Sequence, residues 1–355
     1  MKQNMKAVVA HSKDRYVLEE LPIPELRDGD ILTKVEACGI CAGDIKAHDG
    51  ISRFWGGDGM PPYAKPPFTP GHEFFGRIVA IQGEVPGDFS VGDRIISEQI
   101  VPCGECLYCK RGMYWLCDPH NVYGFKNYLN GGMAEYAILP RGSRNYHVPD
   151  SFTIQEAALI EPFACSLHGV QRENITPTDT VVLAGAGTLG LGMVQAIRAF
   201  YPCRCLIVLD LMEHRLELAK KYGADLVINP AKENTLEEVL ELTENVGCDV
   251  YIEATGHSSA VQQGLDLVRN GGTFVEFSVM SGPSTIDWSI IGDAKEITIR
   301  GSQLSPNCYP QVIDGFKNRQ FFSEGIVSHQ FLLQDFEKAY LTARSSESVK
   351  VILVP

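Results

Sequence analysis

The sequence predicts an α/β protein in two parts, a β-rich domain joined to a doubly wound parallel sheet. Three observations carry that expectation. From about residue 6 to 160, short β-like runs are broken repeatedly by glycine and proline. After about residue 164, strand-like and helix-like segments alternate, the grammar of crossover connections between parallel strands. That alternation supplies six apolar strand segments. A chain of 355 residues is long enough for two domains with cores of their own.

In the first part, Ile31–Val35 and Gly76–Ile81 read as strands and Arg27-Asp28-Gly29-Asp30 as a turn. The irregular stretch is Gly50–Pro70, where Arg53-Phe54-Trp55-Gly56-Gly57 and five prolines share one loop. The six later strands are Val181–Ala184, Leu206–Leu209, Leu226–Ile228, Val250–Glu253, Thr273–Phe277 and Ile297–Ile299. Helix punctuation separates them. Glu213–Tyr222 ends in Lys220 and Lys221 before Gly223, placing cations at the negative end of the helix dipole and glycine at the position beyond its end. Ser258–Arg269 reads as a helix stopped by Asn270-Gly271-Gly272. The tail, a helix around Asp335–Arg344 and a last strand Val349–Val354, does not continue the alternation and is expected to return to the first domain.

Composition excludes several classes. Hydrophobic residues at 45% and charged residues at 21% are an ordinary globular mix, so disorder and fibrous architectures are out. Lys plus Arg number 31 against 44 Asp plus Glu, a net charge of −13, which has the wrong sign for a nucleic-acid partner. Met1–Lys6 shows no secretory signal, so a cytoplasmic location is expected. The uncharged run Thr180–Ile197 is punctuated by Gly185, Gly187, Gly190 and Gly192 and is no membrane span. In a reducing compartment, 11 unevenly placed cysteines point to metal or catalysis rather than disulfides.

Cys103, Cys106, Cys109 and Cys117 place four thiols at the close spacing that a tetrahedral zinc ion requires. Four protein ligands leave no open position, so this ion is expected to stabilise a lobe, residues 100–120. A second, open metal site is suggested by Cys41, by His72 and Glu73 in Gly71-His72-Glu73, and by Glu161. Thiolate, imidazole and carboxylate suit a zinc ion that keeps a position for water or substrate. Their convergence depends on the fold, which spacing alone does not show.

Gly185-Ala186-Gly187-Thr188-Leu189-Gly190 follows an apolar strand and opens a helical stretch, and the next strand ends in Asp210. Strand, tight turn, helix N-terminus and acidic residue together form a dinucleotide fingerprint. Gly185, Gly187, Leu189, Gly190, Asp210 and Arg215 are its candidate residues. Asp210 would accept hydrogen bonds from ribose hydroxyls and repel a 2′-phosphate, and residue 211 is Leu rather than a phosphate-binding Arg, so NAD is expected over NADP.

Gly39-Ile40-Cys41, Gly71-His72-Glu73 with Gly76, Val91-Gly92-Asp93-Arg94, the four-cysteine lobe, Glu161-Pro162 and the glycine fingerprint occur in the order found in zinc-dependent medium-chain alcohol and polyol dehydrogenases. The resemblance covers nearly the whole chain. It implies a GroES-like catalytic domain (1–163 and 304–355) interrupted by a Rossmann NAD-binding domain (164–303), one catalytic and one structural zinc per chain, and a homodimer or homotetramer. By position, Cys41 and His72 become catalytic zinc ligands and Glu73 a direct or interchangeable one. An acidic residue at Glu161 resembles the sorbitol-dehydrogenase branch. The Arg53–Gly57 loop and Cys41–Asp44 further resemble a bacterial group acting on erythritol and threitol.

The expected reaction is reversible NAD-linked oxidation of a secondary hydroxyl on a small polyol or sugar derivative. Rival readings are a dehydrogenase of simple alcohols or of an L-threonine-type hydroxyl, and a metal-stabilised binding protein without activity. One departure stands out. The family's relay hydroxyl falls at Gly43 and its relay histidine at Lys46, leaving Glu161 and Lys46 as the candidates to carry the alcohol proton away.

Overall fold

A computed structural model describes residues 3–57, 59–280 and 282–355. Met1 and Lys2, where the signal reading begins, and Asp58 of the Gly50–Pro70 loop lie outside them. The chain divides into two compact units, Met1–Glu161 with Ile326–Pro355, and Pro162–Gly325.

The first unit begins with an antiparallel hairpin, β1 (Asn4–Ser12) and β2 (Arg15–Pro22). Next come β3 (Ile31–Gly39), β4 (Glu73–Ile81), β5 (Arg94–Ser97), β6 (Tyr136–Leu139) and β7 (Asn145–His147). The second unit supplies β8 (Thr180–Ala184), β9 (Cys205–Leu209), β10 (Leu226–Ile228), β11 (Cys248–Glu253), β12 (Val268–Glu276) and β13 (Thr298–Gly301). These six run parallel in the order β10-β9-β8-β11-β12-β13, the doubly wound arrangement. Every residue of β8 is buried, as a central parallel strand covered on both faces requires. Val182, Ile207, Tyr251 and Phe274 share one core cluster beside it.

The tail then rejoins the first unit. β14 (Val327–Leu332) and β15 (Lys350–Val354) complete a sheet ordered β14-β15-β3-β4-β5-β7, with β6 also paired to β3. β15 runs antiparallel to β3, Ile352 opposite Gly39. The helix Phe336–Arg344 buries Phe336, Ala339 and Tyr340 in the same core as Val35, Phe74 and Leu353.

Two expectations are corrected. The contiguous second unit runs to Gly325 rather than 303, because the helix Tyr309–Lys317 and the segment after it pack there. Phe163 stacks on Phe316 at 5.6 Å and meets Phe321 at 5.3 Å. The helix from Ser258 ends at Leu267, and Arg269 already lies in β12. Lys295 Nζ donates to the carbonyls of Leu265, Asp266 and Val268 at 2.7–2.8 Å and closes the helix end. Arg269 Nε is drawn to Asp249 Oδ1 at 2.7 Å, on the neighbouring strand. Among the described residues, no helix is long and apolar enough to cross a membrane.

Candidate active site

Cys103, Cys106, Cys109 and Cys117 converge, with sulfur atoms within 4.8 Å of one another, and all four are free thiols. Cys103 Sγ lies 4.0 Å from Cys109 Sγ. That is about twice an S–S bond, and close to the separation of thiolates around an ion with bonds of about 2.3 Å. Backbone amides aim at the sulfurs: Cys106 N donates to Cys103 Sγ at 3.3 Å, Cys109 N to Cys106 Sγ at 3.5 Å and Cys103 N to Cys117 Sγ at 3.2 Å. Such donors favour thiolate. The amides of Cys109 and Asp118 lower the Cys106 thiol to about 6.

The second convergence joins Cys41, His72 and Glu73, again within 4.8 Å. Cys41 caps the helix Ala42–His48: its sulfur accepts from Gly43 N at 3.4 Å, and Cys41 N donates to Asp44 Oδ2 at 3.0 Å. His72 and Glu73 arrive at the start of β4, where Glu73 stands opposite Gly39 of β3. A side chain at position 39 would push Glu73 and Lys350 aside, because a Cβ would lie 2.1 Å from Glu73 Oε2 and 2.8 Å from Lys350 Cε. This donor set fits zinc with a position left open.

Two buried side chains that sequence reasoning missed stand behind these three. Asp44 Oδ1 lies 3.7 Å from His72 Nδ1, so the carboxylate faces one ring nitrogen and favours use of the other as a ligand. Lys350 pairs with Glu73, each only 3% exposed, and donates to Ile40 O at 3.1 Å. Burial alone would lower the His72 pKa, but the charges of Asp44, Cys41 and Glu161 overcome it and raise it well above the usual value. Burial and the Glu73 charge push the Cys41 thiol up, while His72 and Lys350 pull it down. A divalent cation here would displace these protons.

Glu161 is buried in the first turn of the helix Ile160–Gln171, and its charge acts on His72 and Lys350. Among the described residues, its oxygens stand outside the 4.8 Å set. Lys46 lies on the helix Ala42–His48. The lysine whose charge reaches Cys41 and Asp44 is Lys350.

The glycine turn has the form its sequence demands. Gly185 follows β8 at φ +104°, Gly187 caps the helix Thr188–Phe200, and a Cβ on Gly190 would lie 1.9 Å from Gly185 O. A Cβ on Gly187 would meet no protein atom within 4 Å, so open space faces the helix N-terminus, as close approach of a pyrophosphate requires. Leu189 lies in the first turn of this helix, and its carbonyl accepts from Ser166 Oγ at 2.8 Å. Asp210 stands just past β9, where Oδ2 accepts from Ala186 N at 2.7 Å and Oδ1 from Met212 N at 2.9 Å. Arg215 lies in the first turns of the helix Glu213–Lys221.

Comparison with known proteins agrees with both halves. Residues 27–150 match the alcohol dehydrogenase GroES-like domain, and residues 188–318 match the zinc-binding dehydrogenase family. The chain is 46% identical to the erythritol/L-threitol dehydrogenase of Mycolicibacterium smegmatis over 99% of its own length and 98% of that protein. It is 34% identical to the sorbitol dehydrogenase of Bacillus subtilis, with coverage of 99% and 98%. A zinc-binding dehydrogenase of Sinorhizobium meliloti, solved with NADP bound, superposes with a TM-score of 0.90 at 29% identity over the whole of both chains. Identity of 46% along almost the full length of both chains, and two family models that fall one in each compact unit, show that the chain belongs to the zinc-dependent medium-chain alcohol and polyol dehydrogenases.

Proposed function

We propose that this enzyme oxidises a secondary hydroxyl of a small polyol to the ketone, reversibly and with NAD, and that four-carbon polyols such as erythritol and threitol are its substrates. The convergence of Cys41, His72 and Glu73, backed by Asp44 and Lys350, is the observation that carries the reading. The name of the M. smegmatis relative supports the substrate class. Asp210 supports NAD, since a 2′-phosphate would meet its carboxylate.

Cys41, His72 and Glu73 would hold the catalytic zinc, with Glu161 close by, and the four-cysteine lobe would hold a structural one. Zinc supplies Lewis acidity that makes a bound hydroxyl easier to deprotonate. The protein's own groups do the rest. Asp44 orients the His72 ring, and Lys350 restrains the Glu73 carboxylate and offsets its charge. Gly43 offers no hydroxyl for a proton, so Glu161 takes the relay role, with Lys46 as the weaker candidate. The enzyme acts in the cytoplasm as a homodimer or homotetramer. An exposed edge strand, β13 with Ile299, supports self-association.

A panel of C3–C6 polyols, ethanol and L-threonine, each with NAD and with NADP and followed at 340 nm, tests the proposal. Erythritol or threitol with NAD should give the highest kcat/KM. Faster turnover of ethanol or threonine than of every polyol would reject the substrate class, and a preference for NADP would reject the reading of Asp210.

A further inference from the structure

Glu253 is the last residue of β11 and is fully buried. A buried carboxylate demands an explanation. Its Oε1 gathers three donors from the loop that follows: Thr255 N at 2.7 Å, Thr255 Oγ1 at 2.5 Å and Gly256 N at 2.9 Å. Thr255 Oγ1 in turn accepts from His257 N at 3.0 Å, at the cap of the helix Ser258–Leu267. One oxygen therefore holds Thr255 and Gly256 directly, and His257 through the Thr255 hydroxyl, against the end of its own strand.

That segment abuts the glycine turn. Ala254 N donates to Ala184 O at 2.8 Å, joining it to the last residue of β8. A Cβ on Gly185 would fall 2.8 Å from Ala254 O and 3.3 Å from Thr255 Cγ2, so this loop backs the first glycine of the fingerprint. The opposite side of the turn is held by β9, through Gly185 N to Leu209 O at 2.7 Å and Ala186 N to Asp210 Oδ2 at 2.7 Å. β9 and β11 are the two neighbours of β8 in the sheet. A carboxylate at or just past the end of each braces the turn, Asp210 directly and Glu253 through its loop.

We infer that Glu253 is a positioning residue for the dinucleotide: by ordering Ala254–His257 against Gly185 it fixes the turn on which the cofactor's pyrophosphate rests. Glu253 does not touch the cofactor itself, because a side chain with no exposed surface offers it no contact. The inference rests on the dinucleotide assignment and not on the substrate class.

The test compares Glu253→Ala, Glu253→Gln and Thr255→Val with the parent enzyme. NADH dissociation constants from fluorescence, KM for NAD, KM for the polyol, zinc content and Tm are measured for each. Charge-assisted hydrogen bonds set the scale, so Glu253→Ala should raise the NADH dissociation constant and the NAD KM about tenfold or more. Glu253→Gln keeps an acceptor oxygen and should recover most of that loss. Polyol KM, and kcat at saturating NAD, should stay within about twofold of the parent, because no bond to the reacting groups changes. Should Glu253→Ala fail to fold, Thr255→Val decides: it removes only the hydroxyl and should weaken NADH selectively. Unchanged NADH affinity in a folded Glu253→Ala or Thr255→Val, whatever the fall in Tm, would overturn the proposal. Equal losses of NAD and polyol affinity would overturn it too. A parent enzyme that binds no NADH would instead reject the dinucleotide assignment.

Discussion

Lys350 shows how one side chain from the far end of the chain can decide the state of a site assembled near its start. With Glu73 also 3% exposed, neither charge has water to fall back on. Removing one partner of such a pair leaves an uncompensated buried charge, so Lys350→Met should cost about 3–5 kcal/mol in urea unfolding. The double variant with Glu73→Gln should recover much of that stability, because the stranded charge is gone. Equal losses in the single and double variants would show that the lysine acts through packing alone. Cys41, His72 and Glu73 were legible in the sequence through the resemblance that Gly39-Ile40-Cys41 and Gly71-His72-Glu73 carry, since each residue taken singly is a weak sign of a metal and spacing does not show that they converge. Asp44 and Lys350 were not. Asp44 follows Cys41 by three residues and reads as a helix-capping acid, while Lys350 opens an ordinary apolar strand and meets Ile40 at a separation of 310 residues. Only the pairing of β15 with β3 brings it to Glu73.

Elements that bury both faces announced themselves. β8 and β9 in the doubly wound sheet are continuous apolar runs, and each of the six strands lies within a few residues of where the sequence placed it, the exposed edge strand β13 included. The end of the helix from Ser258 did not, because its stop signal is a lysine beyond the next strand rather than the glycines that follow it. Three carbonyls at one ammonium group make this cap strong for a surface element. Lys295→Met should therefore fray the helix end: amide hydrogen exchange should quicken over residues 262–270, with a loss of about 1–3 kcal/mol in local protection. Exchange in the strand Thr180–Ala184 should not change, since its hydrogen bonds run to β9 and β11. Uniform quickening across both segments would mean that Lys295 supports the unit as a whole and not the helix end.

At the scale of the molecule, the two units differ in how the chain builds them. Pro162–Gly325 is contiguous and carries its own sheet and core, whereas the unit that holds Cys41, His72 and Glu73 needs both the first 161 residues and Ile326–Pro355. Without the tail, β3 loses β15, the core loses Phe336, Tyr340 and Leu353, and Glu73 loses Lys350. Those are large apolar side chains, each worth about 2–5 kcal/mol, against a total domain stability of about 5–15 kcal/mol. A chain ending at Gly325 should thus lose the Cys41–His72–Glu73 site while keeping the dinucleotide fold. The four-cysteine lobe is local in sequence, and thiolate zinc sites fold with their metal, so zinc should fall from about two ions to about one per chain. NADH fluorescence should survive, and amides of β3 and β4 should exchange freely while those of β8 and β11 stay protected. Full zinc content with protected β3 amides would show that the first 161 residues fold unaided, and the tail would then be a late addition to a domain already complete.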